Sequence, residues 1–172
     1  MEIRALKEHD DRSQFRSGDD DLDRFFHRFA GQNQFRHFIG VTYVAIGESR
    51  IEGFATVAPG HVEGDRLPVT TRRGLPTYPI PVLRLARLAV DESAQGSGIG
   101  GALLRFVLGL AIRMAREVGC VGVVVDAKAA AVGFYARYGF LTIDALEGGS
   151  DARPGPTMMF LSVAVIRRVI ES

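Results

Sequence analysis

A chain of 172 residues and 18.7 kDa, 47% of them hydrophobic, has the length and apolar content of one domain over residues 1–172 with a sizeable core. Its 21 basic and 20 acidic side chains leave a net charge of +1, which excludes a nonspecific polyanion binder; a nucleic-acid surface would have to come from local clusters, nearly all arginine. The lone Cys120 excludes a disulfide framework or a cysteine-rich metal site, and the apolar run from Phe106 to Ala115, broken by Arg113, is too short for a membrane span. No secretory segment opens the chain, so the expected location is cytoplasmic.

Glu2 to Leu6 predicts a first strand, and Asp10, Asp11, Ser13 and Gly18 mark turns after it. Asp19 or Asp20 caps a predicted helix in which Leu22, Phe25, Phe26 and Phe29 recur at helical spacing, so this aromatic stripe is expected in the core. Arg24, Arg28 and Arg36, with His27 and His37, surround it, either as a solvated basic face or as contacts to an RNA backbone. The histidines lack a matching Asp, Glu or Cys constellation, and no metal is expected. Val41 to Ile46 and Ile51 to Ala58 predict paired strands joined by Gly47-Glu48-Ser49-Arg50. Pro59 to Pro81, rich in proline, glycine and charge, reads as the least structured segment; its Arg66, Arg72 and Arg73 suit either a solvated loop or phosphate contacts.

Val82 to Val90 predicts a central strand, apolar apart from Arg84 and Arg87. Asp91 and Glu92 end it, and Gln95-Gly96-Ser97-Gly98-Ile99-Gly100-Gly101 leads into a helix with Leu103, Leu104, Val107, Leu110, Ala111, Met114 and Val118 on its period, stopped by Gly119. A strand, a glycine turn and a helix N-terminus collect unpaired amides at the positive end of a helix dipole, an anion site suited to phosphates. A nucleotide P-loop would need Lys-Ser or Lys-Thr, and here Gly101-Ala102-Leu103 follows. Gly96, Gly98 and Gly101 do fit a dinucleotide fingerprint with Asp126 as its acid, but the spacing is long and too little chain remains. A coenzyme A pyrophosphate site is the third option. Val121 to Val125 predicts a strand parallel to the central one, Ala129 to Tyr138 a helix capped by Gly139, and Phe140 to Ile143 and Met158 to Val165 the last strands, separated by Gly148-Gly149-Ser150 and Pro154-Gly155-Pro156.

Arg87-Leu88-Ala89-Val90, Gln95-x-x-Gly98-x-Gly100 and Gly133-Phe134-Tyr135-Ala136-Arg137-Tyr138-Gly139-Phe140 together resemble the GNAT superfamily of N-acetyltransferases over roughly residues 40 to 165. A narrower resemblance is carried by Phe15-Arg16-Ser17-Gly18, Leu22-Asp23-Arg24-Phe25, Ala30-Gly31-Gln32, Thr42-Tyr43-Val44-Ala45 and Arg72-Arg73-Gly74-Leu75-Pro76-Thr77-Tyr78-Pro79. These words are similar to the acetyltransferase toxins of bacterial toxin-antitoxin pairs, which acetylate the amino acid on charged tRNA and are neutralised by a ribbon-helix-helix antitoxin.

The resemblance implies an α/β fold with a mixed, splayed sheet flanked by helices, and acetyl-CoA as cosubstrate. It assigns the pantetheine arm to the backbone of Leu88, Ala89 and Val90, and the pyrophosphate to Gln95, Gly96, Ser97, Gly98, Ile99, Gly100 and Gly101. Tyr135 becomes the general acid toward the coenzyme sulfur, with Tyr138 its closest confounder, and the Leu88 N–H the oxyanion donor. Arg36, Arg66, Arg72, Arg73 and Arg87 become the contacts to an aminoacyl-tRNA, and the family's habit is a homodimer with no membrane association. Gln95 and Ser97 depart from relatives that often carry arginines there.

No Glu or Asp lies between Val82 and Val90, where many members find a general base. A lysine amine, at about 10.4, would call for such a base, whereas an α-amine at about 7.7 to 8.0 is partly neutral already. An acid without an evident base therefore suits an aminoacyl acceptor. Asp91 is read as orienting the glycine turn, with a role as a base through water as its rival. A small amine or protein N-terminus remains an alternative acceptor, and a noncatalytic coenzyme-A-binding module a further alternative.

Overall fold

The computed structural model describes residues 1–143 and 155–171, so Gly148-Gly149-Ser150 and Pro154 lie outside the described residues. Along the chain run β1 (Glu2–Ala5), α1 (Asp20–Arg24), a π-helical turn (Phe25–Phe29), α2 (Ala30–Phe35), β2 (Val41–Ile46), β3 (Ile51–Val62), α3 (Val69–Arg72) and β4 (Ile80–Val90). There follow α4 (Ile99–Glu117), β5 (Gly122–Ala127), α5 (Val132–Arg137), β6 (Leu141–Thr142), β7 (Thr157–Ser162) and α6 (Val163–Glu171), giving a mixed α/β fold with helices flanking a mixed sheet. The chain forms two compact units, Met1–Ala58 with Leu85–Gly109, and Pro59–Arg84 with Leu110–Ser172.

In the first unit the strand order is β1-β2-β3-β4, with β1 and β3 both antiparallel to β2. Asp19 caps α1, its carboxylate accepting from the amides of Asp21 and Leu22. One turn later the helix widens: the Ala30 N–H reaches the carbonyl of Phe25, five residues back rather than four. That extra residue rotates the aromatic stripe. Phe25 and Phe26 face inward, but Phe29 is left 41% exposed, against the expectation that it joins the core. Phe26 stacks on Phe54 of β3 at 4.3 Å, and Phe15 meets both rings edge-on at 4.9 and 5.4 Å. With each buried phenylalanine contributing about 1.5–3 kcal/mol, this cluster fixes the helical segment against β2 and β3. The Gln34 amide secures the same segment, donating to the Leu6 carbonyl and accepting from the Thr42 N–H.

In the second unit β4, β5, β7 and β6 lie in that order, with β7 antiparallel to both neighbours. Its core gathers Val62, Leu67, Ile80, Val82, Val124, Ile143 and Phe160. Gly122 lies so close to β7 that a Cβ there would collide with the Leu161 carbonyl oxygen. Two expectations are corrected in this unit. The segment from Pro59 is not structureless: β3 continues to Val62, a short helical turn spans Gly64–Arg66, and α3 follows Pro68. The predicted strand Met158 to Val165 stops at Ser162, whose hydroxyl accepts the Val165 N–H and starts α6. Ile166, fully buried, then anchors that helix by its apolar face.

Candidate active site

The glycine turn lies in the first unit, directly after β4. Gly96 and Gly98 take φ of +83° and +90°, and a Cβ built on either would meet open space rather than protein. The positive φ needs glycine, and the open space leaves room for a ligand's oxygens. The first bond of α4 near the turn runs from the Ala102 N–H to the Gly98 carbonyl, so Ile99, Gly100 and Gly101 have no helical acceptor for their amides. Together these features meet the requirement for a pyrophosphate cradle.

Two side chains hold the turn from behind. Asp91, only 4% exposed, accepts the Arg16 N–H at 2.9 Å, the Ser93 N–H at 3.1 Å, the Ser93 hydroxyl at 2.6 Å and the Arg50 guanidinium at 2.8 Å. Burial alone would raise its pKa, but these bonds outweigh it and hold the carboxyl at about 2. Such an acid keeps no free basicity for proton abstraction, and its geometry is that of a loop anchor. Gln95 folds back, its amide donating to the carbonyls of Ser17 and Val90. The Ser97 hydroxyl donates to the Ala94 carbonyl, so the side-chain hydrogen expected to face a phosphate is engaged within the loop.

The backbone of β4 presents its edge in a defined sense. Just past its end, the Asp91 N–H bonds to the Glu52 carbonyl on β3. Since N–H and C=O of successive strand residues turn to opposite edges, Ala89 shares that side, and Leu88 and Val90 turn away from β3. Among the described residues, no acidic side chain lies between Ile80 and Val90. On the face toward α1 and α2, Arg87 places its guanidinium 3.7 Å above the ring of Phe25, and its burial lowers its pKa. Beside it opens a cavity of about 160 Å³ that includes Asn33, Thr42 and Thr56 in its walls. Arg36, at the end of α2, is exposed.

In the second unit Tyr135 sits in α5, 5% exposed, edge-on to Phe134 at 5.1 Å and Phe140 at 5.4 Å. Burial pushes its phenol up to about 12, so it stays protonated across the physiological range. Tyr138 is less buried and packs on Phe134 at 5.4 Å. Gly139, at φ +95°, ends the helix and turns the chain toward β6. Arg72 and Arg73 are exposed and Arg66 half-buried; Arg72 donates to the Asp65 carbonyl, and the Arg66 Nε is buried with no partner among the described residues. The predicted tRNA arginines thus fall into two sets, Arg36 and Arg87 in the first unit and Arg66, Arg72 and Arg73 in the second. Asp126, the acid of the dinucleotide reading, pairs with Arg84 at 2.9 Å. Cys120 is buried and its thiol is raised by burial, as suits a packing residue rather than a nucleophile. Among the described residues, no group of three His, Cys, Asp or Glu is placed to hold a metal, and no helix is long and apolar enough to cross a membrane.

Residues 39–141 match the acetyltransferase (GNAT) domain family, a span that covers β2 through α5 and so contains the glycine turn and Tyr135. The chain belongs to the GNAT acetyltransferases. It is therefore an acetyl-CoA-dependent acyltransferase. This acetyltransferase is 34% identical, over 80% of its own length and 82% of the relative's, to the tRNA-acetylating toxin of Mycobacterium tuberculosis (strain ATCC 25618 / H37Rv). Among solved structures it is similar to AtaT complexed with acetyl-methionyl-tRNA (23% identity, 98% of each chain, TM-score 0.85). It is also similar to a tyrosine-to-phenylalanine mutant of the toxin AtaT bound to acetyl-CoA and the C-terminus of the antitoxin AtaR (22% identity, 99% and 98% of the chains, TM-score 0.79).

Sequence reasoning missed the cavity beside Arg87 and the Arg50–Asp91 pair. The register that sets Thr42 opposite Thr56 on β2 and β3 includes a one-residue shift between Ala45 and Ile46, so the Gly47 to Arg50 hairpin alone would have set Thr42 opposite Ala55. Nothing in the sequence aligned Phe25 with Arg87, because the π-turn sets that angle.

Proposed function

We propose that this acetyltransferase transfers the acetyl group of acetyl-CoA to the α-amine of aminoacyl-tRNA and thereby blocks translation. The observation that carries this reading is the 34% identity, over 80% of the chain, to a protein named for acetylating tRNA. The chemistry of the residues supports it. The pyrophosphate rests on the amides from Gln95 to Gly101, and the pantetheine arm runs along Leu88, Ala89 and Val90. The neutral α-amine attacks the thioester carbon, and the Leu88 N–H stabilises the oxyanion that forms. As the tetrahedral intermediate collapses the C–S bond breaks, and the Tyr135 hydroxyl gives its proton to the departing sulfur. The attacking nitrogen releases one proton to water and the Tyr135 phenolate takes one back from water, leaving an amide and free coenzyme A. No carboxylate base is required, because an α-amine near 7.7 to 8.0 is already partly neutral.

An acetylated amine cannot accept a growing peptide, so each modified tRNA is lost to elongation. Arg36, Arg66, Arg72 and Arg73 supply the phosphate contacts, and Arg87 contacts the acceptor end; a homodimer would present two sets of them. The reading places the enzyme in the cytoplasm, where charged tRNA is, and pairs it with a ribbon-helix-helix antitoxin; a similar toxin is bound to an antitoxin's C-terminus. The test is to incubate charged tRNA with enzyme and acetyl-CoA, digest with ribonuclease, and identify the terminal aminoacyl-adenosine by mass spectrometry. A gain of one acetyl group on the amino acid is expected, and an unmodified terminus refutes the reading.

A further inference from the structure

The cavity beside Arg87 is enclosed by Phe25 and Asn33 from the helical segment, Thr42 of β2, Thr56 of β3 and Arg87 of β4. Arg87 is the sole titratable side chain among the described residues lining it. The other walls are apolar, small or neutral polar, Ile39 among them, and the Thr42 and Thr56 hydroxyls bond to each other at 2.7 Å, which leaves one hydroxyl hydrogen for a ligand. Arg87 makes no ion pair or hydrogen bond with a described residue; the Phe25 ring alone supports its charge. A guanidinium keeps its proton even when partly desolvated. The cavity is thus walled by a fixed, unneutralised positive charge. The peptide linking Arg87 to Leu88 also supplies the N–H assigned above to the oxyanion, so the charge stands one residue from that amide.

A cation in this position disfavours a second cation. It therefore favours the neutral form of an entering amine, and it opposes any side chain that carries its own positive charge. The volume sets a further limit. At about 160 Å³ the cavity is close to the ~150 Å³ that takes a benzene ring in an engineered protein, too small for an indole together with the backbone that bears it.

Resting on the aminoacyl-tRNA reading above, we propose that this cavity is the subsite for the acceptor's amino acid. Arg87 is its specificity-determining residue, admitting small and medium uncharged side chains and rejecting lysyl and arginyl ones.

The experiment uses the full chain and tRNA charged separately with glycine, methionine or lysine. It measures kcat/KM for acetyl transfer and its pH dependence in wild type, R87M, R87K and A58L. R87M keeps an apolar stem over Phe25, and its melting temperature verifies folding. Wild type should prefer methionyl- over lysyl-tRNA; R87M should narrow that ratio at least about tenfold and raise the pH midpoint with methionyl-tRNA by about one unit, as loss of a neighbouring cation requires. R87K should restore both. A58L, which fills the cavity from β3, should slow methionyl transfer more than glycyl transfer. A uniform rise in KM for all three tRNAs in R87M, with ratio and midpoint unchanged, would show a phosphate contact and overturn the assignment. Equal slowing of methionyl and glycyl transfer in A58L would also overturn it. Wild type that acetylates none of the charged tRNAs sinks the aminoacyl-tRNA reading itself, a result separable from both.

Discussion

Replacing Asp91 by Asn tests whether the glycine turn is held from behind as the bonding pattern implies. The carboxylate accepts four hydrogen bonds in a nearly closed site, and its pKa stands at about 2 against an ordinary 3.8. A group whose folded pKa is depressed stabilises the fold above its unfolded pKa and loses that contribution as pH falls through the folded value. Here the window runs from about pH 4 down to about pH 2, and the shift corresponds to roughly 2 kcal/mol. Asn removes the charge and turns an NH₂ group toward one of the donors, leaving Arg50 without its counter-ion. A cost of about 2–4 kcal/mol follows. For a chain of this length that is a fall of roughly 5–15 °C in melting temperature at pH 7. Thermal unfolding of wild type and D91N between pH 2 and pH 7 reads the effect. Wild type should lose stability below pH 4, and D91N should be less stable at pH 7 with a smaller acid step, so that the gap between them narrows as pH falls. The KM for acetyl-CoA should rise several-fold, because the turn begins at Gln95, four residues beyond the anchor. Melting within a degree of wild type at pH 7, or an unchanged acid step in D91N, would refute the anchoring role.

Other outcomes follow from single positions. Gly98→Val puts a branched side chain into the open space above the turn at a φ of +90°, so KM for acetyl-CoA should rise tenfold or more, with about 1 kcal/mol of backbone strain; retained affinity by calorimetry would contradict a phosphate cradle. Gly122→Ala drives a Cβ against the Leu161 carbonyl and should destabilise the β5–β7 pair by about 3 kcal/mol or more, checked by denaturant unfolding; a neutral result would mean that β7 is not so closely paired. The pH profile of kcat/KM should rise as the acceptor amine deprotonates and show no Tyr135-linked falling limb below about pH 11, since burial holds that phenol at about 12; a fall near pH 9 would assign the acid elsewhere.

The site was legible in the sequence where the physics is local. A strand that ends in acidic residues, glycines that tolerate positive φ and a helix with apolar residues at its own period are all written in consecutive residues, and β4, the turn and α4 follow them. Gly119 and Gly139 stop their helices at positive φ for the same reason. Features set by tertiary packing were less accessible. The π-turn at Phe25–Phe29 gives no composition signal, yet it decides that Phe25 meets Arg87 while Phe29 turns to solvent. Val163-Ala164-Val165-Ile166 reads as strand by β-branched content, but Ser162 caps a helix there and Ile166 buries its apolar face. Pro59 reads as a breaker, whereas β3 carries it and continues to Val62. The depressed pKa of Asp91 owes most to Ser93, two residues away, and then to Arg16 and Arg50, donors distant in sequence, so neighbouring residues alone showed only part of its anchoring role.

The most direct test of the central claim is acetyl-CoA-dependent labelling of total charged tRNA by wild type and Y135F, with deacylated tRNA alongside. The account predicts label on charged tRNA with wild type, none on deacylated tRNA, and a loss of about a hundredfold or more in Y135F, within the range for a general acid. Coenzyme binding by wild type without label on any charged tRNA would contradict the acceptor assignment and leave a GNAT enzyme for another amine. Full activity in Y135F would remove the tyrosine from the chemistry.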